Sequence, residues 1–303
     1  MRRRSFIKKS AAAGALTGIG GLGLLSFAPD DKRKHITILH TNDVHSHIEA
    51  FGPEHALYPN QGGAAKRYSL ISEIRRENSN TLLLDAGDIF QGTPYFNFYG
   101  GELELKLMSK MGYDAATIGN HDFDNGIDGL FAQLPHADFP FISSNYNFTN
   151  TVMEGHVKPY QVFVKDGVRI GIFGLGIELE GLVSKKLYKE TDYLDPVETA
   201  KEIVAQLKNE EKCDLVICLS HLGYSYDSGK IGDLQLAAQT SSIDLIIGGH
   251  THTFLPEPTV ATNVEGKPVL VNQVGWAGVK LGRIDFFLDS SGRKNSSGLT
   301  IDV

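Results

Sequence analysis

The chain has 303 residues, of which 41% are hydrophobic, and a formal net charge of −7 at pH 7. This length allows one large domain or two modest ones, and the apolar content is sufficient for a buried core, which excludes a disordered chain as the default. The acidic balance, with no basic tract outside the first residues and the short polar segment at 29–35, argues against binding to a nucleic-acid polymer. Phosphate ligands remain compatible with this charge, because bound metal ions supply positive charge locally.

Residues 1–28 predict an export signal. Arg3-Arg4-Ser5-Phe6-Ile7-Lys8-Lys9 matches the twin-arginine pattern, and a run rich in glycine and alanine follows it as far as Ala28. We therefore expect export through the twin-arginine route into the periplasm, followed by cleavage. The alternative is an uncleaved membrane anchor, because the run has about the minimum length that spans a bilayer. Residues 29–35 are interpreted as a polar leader.

Strand and helix patterns then alternate along the chain. Five short apolar runs predict buried strands, namely Ile36–Leu39, Thr81–Leu84, Ala115–Ile118, Leu215–Leu219 and Leu245–Ile247. Helices are predicted over Ala64 to Glu77, Glu102 to Met111, Pro196 to about Glu211, and Ile231 to Gln239. The third helix has a strong start, with Asp195 as N-cap and Pro196 in the first helical position.

Two further segments predict consecutive strands joined by turns. Asp166-Gly167 separates the apolar runs Tyr160–Val164 and Val168–Leu175, which is typical of a hairpin with a type I′ turn. Pro268–Val274 and Val279–Leu288 form a second strand-turn-strand pattern. Together these patterns favour an α/β fold with two mixed sheets packed face to face and helices outside. Cys213 and Cys218 are interpreted as unpaired structural thiols.

Each of the five strand runs is followed by residues that can bind metal. These segments are Asp43-Val44-His45, Gly87-Asp88, Gly119-Asn120-His121-Asp122, Ser220-His221 and Gly249-His250-Thr251-His252. The C-terminal ends of parallel strands open onto one crevice, so we expect the five segments to meet there. One Asp-x-His pair alone would be a weak signal, but five segments at five strand ends make chance a poor explanation. His40 is interpreted as a hydrogen-bonded residue of the core or one that supports the ligands from behind, and the role of His47 is left open.

The candidate ligands divide into two sets of four. The first set is Asp43, His45, Asp88 and His252, and the second is Asp88, Asn120, His221 and His250. Asp88 is counted twice because a carboxylate has two oxygens and can bridge two ions, as in two-metal hydrolases. Mixed imidazole and carboxylate ligands fit Zn²⁺ or Mn²⁺ best, with Fe, Co or Mg also allowed, and do not fit Ca²⁺.

The order of these motifs resembles the calcineurin-like metallophosphoesterase superfamily. Their context, from His40 to His47, Asp85 to Asp88, Gln91 to Thr93 and Gly119 to Asp124, is similar to the exported 5′-nucleotidase / 2′,3′-cyclic phosphodiesterase family. The resemblance implies a four-layer α/β/β/α sandwich, with a catalytic domain over residues 36–290 and a tail over 291–303. It also implies that His121 and Asp124 form a dyad that assists the leaving group, and that Asn120 touches the phosphate. Asp122 is interpreted as turn structure.

The resemblance implies a dinuclear phosphoesterase that hydrolyses 5′-nucleotides or related nucleotides. Two divalent cations would neutralise the phosphate oxygens and lower the pKa of a bridging water, which then attacks phosphorus. In the family a C-terminal domain supplies rings that stack the base, and this chain stops at Val303. We therefore expect that a separate polypeptide could supply that domain. The alternatives are a broad-specificity phosphomonoesterase or phosphodiesterase acting alone, and a non-catalytic metal-binding subunit. Trp276 and the pair Phe286-Phe287 are candidates for contacts with a substrate ring, but a place within strands favours their interpretation as core residues.

Overall fold

Two β-sheets organise residues 33–303, the part of the chain that the computed structural model describes. The predicted export signal, residues 1–28, lies outside the described residues. The strands are β1 Lys34–Thr41, β2 Thr81–Asp85, β3 Ala115–Ala116, β4 Tyr146–Asn147, β5 Tyr160–Lys165, β6 Val168–Leu175, β7 Asp192–Tyr193, β8 Leu215–Ser220, β9 Leu245–Gly248, β10 Thr259–Thr262, β11 Pro268–Asn272, β12 Lys280–Leu288 and β13 Lys294–Asp302. The helices are α1 Ala64–Glu77, α2 Pro94–Tyr99, α3 Glu102–Met111, α4 Gly126–Gln133, α5 Lys185–Tyr188, α6 Pro196–Asn209 and α7 Asp233–Gln239.

Both large sheets are mixed, as the sequence predicts. The first has the strand order β13-β12-β1-β2-β3, and the second has the order β10-β11-β9-β8-β6-β5. Strands β1, β2 and β3 are parallel to one another, as are β6, β8, β9 and β11. Because parallel strands end at the same edge of a sheet, the segments that follow β1, β2, β3, β8 and β9 are delivered to one end of the fold.

Alternation along the strands builds the layers. Ile36 and Ile38 of β1 face Ile217 and the other apolar residues of the second sheet, and all three are fully buried. On the outer side of the first sheet, Leu83 packs in a separate cluster with helices α1, α3 and α4. The outer face of the second sheet packs against α6 and α7 through Val216. The result is the four-layer α/β/β/α sandwich.

Local sequence signals account for several element boundaries. The side chain of Asp195 accepts hydrogen bonds from the backbone N–H groups of Val197 and Glu198, each 2.9 Å long, which caps α6. Asp166 and Gly167 have φ angles of 49° and 70° in the β5–β6 turn, as a type I′ turn requires. Both cysteines are buried and unbridged.

Two predicted boundaries differ from the structure. Residues 34 and 35 of the predicted leader belong to β1, where the ring of His35 stacks on Phe287 at 4.5 Å. The segment predicted as a tail contains β13, which pairs with β12 along its whole length and leaves Val303 buried. Small Ser and Gly side chains weaken the apolar pattern of an edge strand, but the backbone still forms the ladder. Within residues 33–303, no helix is both long and apolar enough to span a bilayer.

Candidate metal centre

The segments after β1 and β2 are joined by backbone hydrogen bonds. Asp43 N–H donates to the carbonyl of Gly87 at 2.9 Å, and His45 N–H donates to the carbonyl of Asp88 at 3.1 Å. Asp43, His45 and Asp88 all have positive φ, between 48° and 55°. Left-handed backbone is costly for residues with a Cβ, so the surrounding bonds hold these side chains in directions that a relaxed loop would not give.

A first group of ligand atoms comes from Asp43, His45 and His252, whose candidate atoms all lie within 4.8 Å of one another. Asp43 Oδ1 is 3.3 Å from Nε2 of His252 and 3.9 Å from Nε2 of His45. Asp43 is fully buried, and Asn42 Nδ2 donates to its other oxygen at 2.6 Å. Three donor atoms therefore converge on one point beside the surface.

A second group comes from Asp88, His221 and His250, again within 4.8 Å. Asp88 Oδ2 is 3.1 Å from Nε2 of His221. Asn120 joins this group, because its Oδ1 lies 2.8 Å from Nδ1 of His250. The structure thus brings together all seven residues that the sequence proposes as ligands.

Asp88 lies between the two groups. Its Oδ2 is 3.8 Å from Nε2 of His45 in the first group, in addition to its contact with His221 in the second. Its Oδ1 accepts the backbone N–H of His121 at 2.8 Å. This placement matches the position in which a single carboxylate would touch two ions.

The donor atoms fit divalent cations. Nδ1–H of His221 donates to the carbonyl of Ala86 at 2.7 Å, which directs Nε2 into the group as the atom that a cation would bind in place of a proton. That Nε2 is buried and has no hydrogen-bond partner among the described residues. In the first group, the Nε2 atoms of His45 and His252 face each other at 3.0 Å. Imidazole nitrogens that converge next to buried carboxylates are the donor set that Zn²⁺ and Mn²⁺ take.

The charges of the buried candidate ligands shift one another's pKa values. Burial lowers the pKa of His221, but the neighbouring Asp88 carboxylate outweighs burial and raises it to about 10. Burial raises the pKa of Asp88, and its contacts with His221 and His45 reverse this and hold it below its usual range. Burial and the nearby His221 lower the pKa of His250 to about 4. A cation bound here would therefore compete with a proton on His221.

His121 and Asp124 stand beside these groups without joining either one. Nδ1 of His121 is 3.0 Å from Oδ2 of Asp124, and the two side chains are 39% and 32% exposed. The His121 ring lies 5.3 Å from the His45 ring, centroid to centroid. The hydrogen bond to Asp124 raises the pKa of His121, which favours the imidazolium. An accessible, protonated imidazole next to the cluster can donate a proton.

Asp122 holds the loop that carries Asp88. Its carboxylate accepts the backbone N–H groups of Asp88, Ile89, Phe90 and Gly119, at 3.1, 3.0, 3.1 and 2.8 Å. Burial and the nearby Asp88 raise the pKa of Asp122 to about 7. The interpretation of Asp122 as turn structure is confirmed, and the turn that it stabilises is the one that positions Asp88, the candidate shared ligand.

The sequence predictions for His40 and Trp276 have different outcomes. His40 is a core residue as predicted, with Asn272 Nδ2 at 2.9 Å from its Nε2 and with burial lowering its pKa to about 3. The prediction for Trp276 is wrong, because it lies in the turn between β11 and β12 and not in a strand. Its half-buried ring is nearly parallel to His252, with centroids 6.0 Å apart and planes 9° apart. The flanking Gly275 and Gly278 are the sequence signal for that turn.

The family of the protein follows from comparison with known proteins. The model of the calcineurin-like phosphoesterase family matches residues 36–254, which is more than half of the chain. The chain therefore belongs to this family.

Several relatives resemble the chain over most of its length. The trifunctional nucleotide phosphoesterase protein YfkN of Bacillus subtilis (strain 168) is 34% identical over 90% of this chain and 20% of that protein. The 5′-nucleotidase of Vibrio cholerae is 32% identical over 94% of this chain and 55% of that protein. The crystal structure of a 5′-nucleotidase precursor from Thermus thermophilus has a TM-score of 0.80 at 34% identity, over 89% of this chain and 55% of that one. The chain thus spans about half the length of the two 5′-nucleotidases and a smaller share of YfkN.

Proposed function

We propose that the protein hydrolyses phosphate esters at a dinuclear metal centre, with 5′-nucleotides or related nucleotides as substrates. The observation that supports this most directly is the position of Asp88 between the two groups of ligand atoms. Zn²⁺ or Mn²⁺ would be held by Asp43, His45 and His252 on one side and by Asn120, His221 and His250 on the other. Family membership and the nucleotidase names of the relatives support the substrate class.

Different residues of the chain have different roles in the proposed reaction. Two bound cations would neutralise the phosphate oxygens and lower the pKa of a water to near neutrality. The amide of Asn120, at the edge of the second group, contacts a phosphate oxygen. His121 donates a proton to the leaving oxygen, and Asp124 holds the ring in place and favours its charged form. Asp122 and Ala86 fix the loop of Asp88 and the ring of His221 from behind.

Residues 1–28 support export through the twin-arginine route into the periplasm, which is the cellular location that we propose.

A broad-specificity phosphomonoesterase or phosphodiesterase is the second candidate function. The two groups of candidate ligands would bind phosphate, and they offer no contact to a base. The comparisons give no support to a separate partner polypeptide, and the proposed chemistry does not require one.

A substrate panel tests the proposal. The purified protein is reconstituted with Zn²⁺ or Mn²⁺ and assayed for phosphate release from 5′-nucleotides, 2′,3′-cyclic nucleotides, nucleotide sugars and an aryl phosphate. We expect 5′-nucleotides to give the highest kcat/KM. Equal kcat/KM for all substrates would support the broad-specificity alternative, and no turnover of any of them would refute both.

The His121–Asp124 pair has its own test. His121→Ala should lower kcat by about 10²–10⁴-fold, which is the usual contribution of a general acid. His156→Ala is the matched control, because His156 is an exposed loop histidine far from every ligand in sequence. If His121→Ala retains the wild-type kcat on every substrate, the assigned role of the pair is wrong.

A further inference from the structure

Six aromatic side chains form a continuous surface that begins at the metal centre. We name this surface the aromatic wall, and its members are His47, Phe51, His55, Tyr58, Phe254 and Trp276. It starts where the Trp276 ring lies nearly parallel to the candidate ligand His252, at a centroid distance of 6.0 Å. None of the six rings is fully buried.

Each ring of the wall contacts the next, starting from Trp276 beside His252. Trp276 lies 5.1 Å from His47 and 6.4 Å from Tyr58, centroid to centroid. Tyr58 in turn stacks on Phe254 at 6.0 Å. The wall therefore extends from the first ligand group through Trp276 and Tyr58 to Phe254.

The backbone around the wall is fixed by the metal-binding segments themselves. Asn42, next to the ligand Asp43, donates from Nδ2 to the carbonyl of Gly275 at 2.6 Å and accepts the N–H of Val274 at 2.9 Å. Ala277 N–H donates to the carbonyl of Asp43 at 2.8 Å. A Cβ at Gly275 would lie 2.1 Å from the Phe254 ring, so this ring rests directly on the turn. The end of the wall that carries Trp276 and Phe254 is therefore bonded directly to the segment of Asp43.

The chemistry of the wall suits a flat, uncharged group. Phe254 is 39% exposed, and Leu57 on the same surface loop is 72% exposed. Residues 51–61 contain no lysine or arginine, so this loop offers no permanent positive charge to a second phosphate. Exposed apolar area beside a reaction site is typical of ligand recognition, and aromatic faces attract other aromatic faces.

We propose that the aromatic wall stacks the nucleobase of the substrate, so that this chain itself distinguishes a nucleotide from a simple sugar phosphate. The proposal rests on the phosphoesterase function above and adds the part of the substrate that the ligand residues do not contact. Trp276 is the ring that lies against the candidate ligand His252, Tyr58 contacts Trp276, and Phe254 supplies the exposed outer edge.

Kinetics with a matched pair of substrates tests this role. Tyr58→Leu should lower kcat/KM for a nucleoside 5′-monophosphate about tenfold, and leave that for ribose 5-phosphate within about twofold, because stacking contributes only when a base is present. Tyr58→Phe keeps the ring and should retain the wild-type ratio of the two values. Phe254→Leu is a second ring-removing variant in case Tyr58→Leu does not fold. Phe98→Ala, which removes an 82% exposed ring of α2 outside the wall, is the control.

A binding measurement keeps the two proposals separable. Trp276 is the single tryptophan of the chain, so intrinsic fluorescence reports on the wall directly. Adenosine should quench it saturably, ribose should not, and Tyr58→Leu should weaken the adenosine effect. If nucleotides are hydrolysed but adenosine causes no saturable change, or if Tyr58→Leu lowers kcat/KM for both substrates equally, the wall does not bind the base and the phosphoesterase function stands. If no phosphate ester is hydrolysed, that function fails, and adenosine binding alone decides the role of the wall.

Discussion

Replacing Asp122 with alanine should destabilise the protein and loosen the shared ligand Asp88. The carboxylate is 1% exposed and accepts four backbone N–H groups, from residues 88, 89, 90 and 119. A buried donor left without an acceptor costs about 1–3 kcal/mol, so four of them would cost about 4–12 kcal/mol.

Two effects reduce that figure. The pKa of Asp122 is raised to about 7, so at neutral pH the buried charge itself carries a penalty that alanine removes. Water can also enter the vacated space and satisfy some of the N–H groups. We therefore expect Asp122→Ala to lower the free energy of unfolding by about 4 kcal/mol, which is in the range of a broken buried network. Asp122→Asn keeps one acceptor oxygen and should fall between alanine and the wild type.

The assay is guanidinium unfolding of the metal-free protein, followed by circular dichroism, together with the zinc content after reconstitution. Asp128→Ala is the control, because this carboxylate is 58% exposed in a surface ion pair with Lys189 and should change stability by less than about 1 kcal/mol. If Asp122→Ala unfolds within about 1 kcal/mol of the control and binds as much zinc as the wild type, the four hydrogen bonds do not support the loop.

Three further outcomes follow from the structure. Treatment with EDTA should abolish phosphate release and lower Tm, and added Zn²⁺ at about a hundred times its Kd should restore about 2.7 kcal/mol of stability; an unchanged Tm would argue against bound ions. Hydrogen bonds from Arg283 and Thr37 outweigh burial and lower the pKa of Asp285, so its stabilising effect is present above the unfolded pKa and lost as pH falls through the folded one. Asp285→Asn should therefore lower the free energy of unfolding at pH 7 by about 1–3 kcal/mol, with the difference shrinking in acid. Leu83→Ala, in the fully buried outer face of the first sheet, should lose about 2–5 kcal/mol, whereas the 57% exposed Val164→Ala should lose much less.

Sequence signals confined to a few neighbouring residues were sufficient to predict much of the fold. The predicted bounds of α1 and α3 coincide with the structure, and Gly112 ends α3 in the left-handed conformation that favours glycine. The placement of the candidate ligand segments was predictable for the same reason, since each lies directly after an apolar strand. Their convergence then follows from parallel pairing, which places all strand ends at one edge.

Features that depend on distant partners were not predictable in this way. The strand β13 gains its stability from the ladder with β12, and its own Ser- and Gly-rich sequence carries no apolar alternation. Trp276 is next to His252 only because Asn42 and Asp43 bind its turn from more than two hundred residues away in sequence. Both cases are long-range backbone contacts, and no local pattern in the participating residues encodes them.

The geometry of the ligand loops explains why this site needs so large a sandwich. Five of the seven candidate ligands have left-handed backbone, namely Asp43, His45, Asp88, His250 and His252. At about 1–2 kcal/mol each, the combined strain is about 5–10 kcal/mol, which is similar to the net stability of a typical domain. Glycine would relieve that strain but would remove the donor atom, so the side chains can be held only by rigid surroundings. Two packed sheets with fully buried strands on both sides, and cross-loop bonds such as Asp43 N–H to Gly87, supply that rigidity and keep the donors aimed at one place.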